Sequence, residues 1–220
     1  MALYPPSGLL PPLTPIVCWD SDLRISVGEE VIPVHRDAVT AGRSRFLTDL
    51  FGPELAPCSD PVPVCPPVPE LLGRSLFAIT VGVRPELTQA EFVGFVRTAA
   101  FLQSDELDVR LCEVALACWR QLTALQDFKN PAVPPSFLER LLLLARECNV
   151  MTTSEALEVL ARWSTPDITG GDRVLQKLVV VEEIEAAELT RLQELNPRFV
   201  ELLSPTVVFT IMKRASDSFI

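Results

Sequence analysis

The chain has 220 residues, 48% of them apolar, with a formal net charge of −10 and a mean hydropathy of +0.28. That composition suits a folded chain with a sizeable core. The acidic balance, with only 19 Lys and Arg thinly spread, argues against nucleic acid or an anionic membrane surface as partner, and no uncharged apolar run reaches the ~18 residues of a membrane span.

Residues 1–15 carry Pro5, Pro6, Pro11, Pro12 and Pro15 and read as an extended tail. The opening MALYPPSGLLPP lacks the basic region of a secretory signal. From Asp22 the pattern changes. Leu23, Ile25 and Val27 alternate with Arg24 and Ser26, the two-residue period of a half-buried strand. Gly28-Glu29-Glu30 interrupts it and Val31 to Val34 forms a second strand, so the pair reads as a hairpin. Beyond the charged trio His35-Arg36-Asp37, a helical region holds Phe46, Leu47, Leu50 and Phe51 behind Ser44 as N-cap.

A proline-rich loop over 52–74 leans to polyproline II. The run Ser75 to Val81, mostly apolar, reads as a third, interior strand. Three T/S-x-x-E capping patterns then mark helix starts: Thr88 with Glu91, Ser136 with Glu139, and Thr152 with Glu155. Between the first two, one long helix opens at Ser104 and carries the stripe Leu107, Leu111, Val114, Ala115, Cys118, Leu122 and Leu125. Residues 166–172, with the chain's sole Gly-Gly, read as a linker. A helix over Arg173 to Leu195 follows, weakened by its β-branched run Val179-Val180-Val181. Asn196-Pro197 and Ser204-Pro205 start two short helices, 197–203 and 205–214, that bury Phe199, Leu202, Val207, Val208 and Ile211.

The residues offer no catalytic constellation. His35-Arg36-Asp37 invites comparison with a kinase catalytic loop, but Gly42 stands where that loop needs its magnesium-binding asparagine, and no phosphate-binding glycine loop is present. No GxSxG turn accompanies the only histidine. Six cysteines (Cys18, Cys58, Cys65, Cys112, Cys118, Cys148) form no CxxC pair. The expectation is reduced, mostly buried thiols in an intracellular protein, cytoplasmic or nuclear, with no metal, no cofactor and no enzymatic activity.

One arrangement is specific. Asp22, Gly28, Ile32, Pro33, His35, Arg36, Ser44, Phe46 and Phe51 stand in the order of the opening of a BTB/POZ domain, which the chain resembles over roughly residues 20–165. It departs from the family in its proline-rich loop 52–74, in a helical expansion over 105–135, and in Val96 to Ala100, where a tyrosine turn is usual. The resemblance implies an α+β fold: a helical cluster flanked by a short, mainly three-stranded sheet over residues 16–165, followed by a C-terminal helical extension over 173–220. It also implies a protein-interaction module that forms homodimers and serves as a ubiquitin-ligase adaptor recruiting a cullin scaffold, with a monomeric elongin-like adaptor or a transcription-regulatory, architectural subunit as the alternative. The residues carried over to interaction are Asp22, His35, Arg36, Phe46, Phe51, Val68 and Glu70. Asp22 and Arg36 match a buried charged pair beside the family's dimer interface, and Val68-Pro69-Glu70 matches an apolar-x-Glu cullin motif in the loop before the third strand.

Overall fold

The computed structural model describes residues 23–34, 39, 41, 43–52, 61–178 and 184–217. The fold is mixed α+β, with helices dominant and one three-stranded sheet of order β2-β1-β3. The chain divides into two compact units, Met1–Val114 and Ala115–Ile220, so residues 166–172 lie within the second.

In the first unit, β1 (Leu23–Val27) and β2 (Glu30–Val34) form the expected hairpin, with Leu23 opposite Val34 and Val27 opposite Glu30. Gly28 turns it at φ +60, a conformation that costs glycine little. Ile25, Ile32 and Val34 are buried. The third strand is not the run 75–81. It is β3 (Val62–Pro63), parallel to β1 with Ile25 opposite Val62, and it lies inside the segment read as loop. Residues 75–81 belong instead to α2 (Pro69–Val81). Its buried residues Leu71, Leu72, Ser75, Leu76, Ala78 and Ile79 recur at helical spacing, which a seven-residue apolar window cannot display. The punctuation was there: Pro69 sits in the first turn, and Gly82 takes the left-handed C-cap at φ +70.

Helix α1 (Arg45–Phe51) is capped by Ser44, as expected. Thr88 and Glu91 close their capping box around a 3-10 turn, Gln89–Glu91, that leads into α3 (Phe92–Leu102). Phe92, Phe95, Val96, Ala99 and Leu102 of α3 have no solvent exposure. Helix α2 packs on α3, and Gly94 permits the approach: a Cβ there would lie 2.7 Å from Leu71 Cδ1. Helix α4 (Asp105–Leu116) begins behind Ser104, whose Oγ accepts from the Leu107 N–H.

The expected long helix breaks after Leu116 and restarts as α5 (Trp119–Thr123). Of its stripe, Leu107, Leu111, Val114, Ala115 and Leu122 are buried, whereas Cys118 and Leu125, beyond the break, are half-buried. The residue types at 117–118 give no reason for the break.

In the second unit, α6 (Pro135–Glu147) starts one residue before Ser136, so the Ser136–Glu139 box does not form. Pro135 suits a first helical turn, which places Ser136 inside the helix instead of at its cap. Glu139, nearly buried, pairs with Arg173 Nε at 3.2 Å and with Lys177 Nζ. The Thr152–Glu155 box does form, at the head of α7 (Thr153–Trp163). Residues 171–195 hold two helices, α8 (Gly171–Leu178) and α9 (Ala186–Leu195), in place of one. Ile184 and Glu185 between them are non-helical, next to the β-branched run. Helix α8 packs on α6 and α7, and α9 packs on α7. A 3-10 turn, Phe199–Leu202, and α10 (Pro205–Asp217) follow the two expected prolines. Phe199, Leu202 and Ile211 are buried as expected, whereas Val207 and Val208 are only half-buried.

The segment 166–172 is tied down. Asp167 Oδ1 accepts from the Thr169 N–H at 2.9 Å, and the carbonyls of Asp167 and Thr169 each accept from Asn130 Nδ2 at 2.9 Å.

Candidate interaction surfaces

Ser44 anchors the first of these surfaces. Its hydroxyl accepts from the Leu47 N–H at 3.2 Å and donates to the Leu102 carbonyl at 2.6 Å, with no solvent exposure. Beside it, Arg43 Nη1 donates to the carbonyls of Ile79 and Thr80 at 2.8 Å each, satisfying acceptors that the end of α2 leaves open. Ser104 Oγ donates back to the Arg43 carbonyl at 2.8 Å. Residues 43–45 are thus fastened to the turn between α3 and α4 and to the end of α2. This lock orients the two aromatics of α1. Phe46 stacks on Phe101 at 4.6 Å and an interplanar angle of 43°, half-buried; Phe51 is half-buried as well. Both are partly committed to packing within the unit and partly presented to solvent.

Val68 and Glu70 do not stand in a loop before the third strand. They follow β3 and open α2, Val68 as N-cap and Glu70 in the first turn. Val68 is half-buried, and its methyls lie 3.6 and 3.7 Å from where a Cβ on Gly94 would sit. It supports the α2–α3 packing. Glu70 is exposed, at the helix end whose dipole favours a carboxylate. Of the two, Glu70 is the one a partner can read.

The outer edge of the sheet is closed by its own sequence. Pro33 has no N–H, so Arg24–Pro33 is a non-hydrogen-bonded pair of the β1–β2 ladder, and Ile25–Ile32 and Val27–Glu30 exchange the bonds. Val31 and Pro33 therefore turn their backbone polar groups outward, and one of the two donors there is missing. On the other side of β1 the Ser26 carbonyl accepts from the Val64 N–H at 2.9 Å. Val31 is 48% exposed, an apolar side chain on an edge that cannot easily take another strand.

In the second unit, a surface depression of about 380 Å³ is lined by Arg146, Asn149, Val150, Met151, Thr152, Thr153 and Glu155. Its carboxylate is spoken for. Glu155 Oε2 accepts from the Thr152 N–H at 2.9 Å and Oε1 from Arg120 at 2.9 Å. The Thr152 backbone bond, then the Arg120 bond, hold its pKa below the usual glutamate range, with slight burial opposing. A depressed carboxylate contributes stability above its unfolded pKa and loses it as pH falls through the folded value. Glu155→Ala, which removes both bonds, is accordingly expected to cost about 1 kcal/mol at neutral pH and less against the parent chain once Glu155 is protonated. Urea midpoints at neutral and acid pH check this, and an equal loss at both would refute it.

The thiols divide. Among the described residues Cys112 is buried, Cys118 half-buried, and Cys65 and Cys148 exposed, so burial is not the rule for these four. Burial pushes the Cys118 thiol up, away from the thiolate a nucleophile needs.

Sequence reasoning missed the outward face of α10. Phe209 is 70% exposed and Met212 46%, while Ile211 points inward. The available signal was the uncharged run Pro205 to Met212, which holds more apolar side chains than one buried stripe can use.

Asp22, His35, Arg36 and Asp37 lie outside the described residues, as do Cys18, Cys58 and the N-terminal prolines. Among the described residues, no group of three or more His, Cys, Asp or Glu side chains is placed to hold a metal ion, and no helix is long and apolar enough to cross a membrane. No family model, no curated protein and no solved structure matches the chain.

Proposed function

We propose that the chain is a BTB/POZ-like protein-interaction scaffold that self-associates and recruits partners inside the cell, acting as an adaptor for a cullin-type ubiquitin ligase. The observation that carries this reading is the hairpin β1–β2 with β3 parallel beside β1 and the Ser44-capped helix between β2 and β3, the local context in which the nine family-like positions are expected to work. Exposed Glu70 at the head of α2, Val31 on the sheet edge, and Phe209 and Met212 on α10 supply contact groups of the kind found at interfaces. The reading is non-enzymatic. It draws support from the engaged carboxylate Glu155 and the raised thiol of Cys118, neither set up for acid–base or nucleophilic work.

The alternative of a monomeric elongin-like adaptor or an architectural, transcription-regulatory subunit has one observation in its favour. Pro33 removes a donor from the outer edge of β2, which disfavours self-association by strand pairing there.

The adaptor part is tested by affinity co-purification of cullin proteins with the full chain and with Glu70→Ala. We expect recovery with the parent chain and at least a tenfold loss with the variant. Equal recovery would remove Glu70 from the contact, and no recovery from either would remove the adaptor role.

A further inference from the structure

We draw no further inference here: the strongest candidate, the solvent-facing side of α10 at Phe209 and Met212, carries none because nothing in the structure shows what covers it.

Discussion

Trp163→Ala is expected to lower stability by about 4 kcal/mol, the range for removing a large aromatic from a packed core. Trp163 has no solvent exposure, and its indole Nε1 donates to the Val133 carbonyl at 2.8 Å. Alanine leaves a cavity and strips a buried carbonyl of its donor, two costs that add. The position is also a junction. Its own carbonyl accepts from the Asn130 N–H at 3.0 Å, and the next residue, Ser164, accepts from Asn196 Nδ2 at 3.0 Å. Trp163→Phe should recover much of the packing without the hydrogen bond. Urea denaturation followed by circular dichroism measures the loss, and hydrogen exchange locates it. A loss below about 1.5 kcal/mol, or one not centred on α6, α7 and their neighbours, would show that the junction is not structural.

Ser44→Ala is expected to cost about 2 kcal/mol, combining a lost helix cap with a buried carbonyl left without its donor. The Leu102 carbonyl loses a 2.6 Å bond and the Leu47 N–H loses its acceptor. The effect should fall on the first unit, with faster exchange of the α1 amides and a change at the Phe46–Phe101 contact. Because α1 carries two of the proposed contact residues, the same variant should weaken partner recovery even at temperatures where the chain stays folded. Normal α1 protection in Ser44→Ala would mean that Arg43 and Ser104 hold this corner without it.

Ser44 was legible because a cap has a local signature: a hydroxyl residue ahead of an amphipathic run. The hairpin was legible for the same reason, since Gly28 breaks an alternation that resumes after it. Residues 75–81 taken alone, with five apolar side chains in seven, look like an interior strand, whereas Pro69, six residues earlier, marks the helix start. Ser136 followed a correct local rule that Pro135 overrode by starting the helix earlier, while Glu139 found two cations on α8, far away in sequence. Tertiary partners of that kind leave no local trace. Of the candidate site, Glu70 is exposed at the head of α2, Phe46 and Phe51 are half-buried on α1, and Val68 lies at the α2 N-cap against Gly94. The outward face of α10 required knowing which of its apolar residues the unit uses, and this depends on Ile211 being the one turned inward.

The two polar locks also set how far the chain must search to close each unit. Ser44 reaches Leu102 across 58 residues and Ser104 reaches Arg43 across 61, whereas Asn196 reaches Ser164 across 32 and Ala161 across 35. Loop-closure entropy grows only with the logarithm of length, so the longer pair costs about 0.5 kcal/mol more than the shorter. Threading distance therefore hardly separates the units. The order in which they become structured is left to local helix strength, where Thr152 and Glu155 strengthen the start of α7, while the short α1 has Ser44 as its local cap and otherwise depends on the distant Gln103 carbonyl, which accepts from the Arg45 N–H.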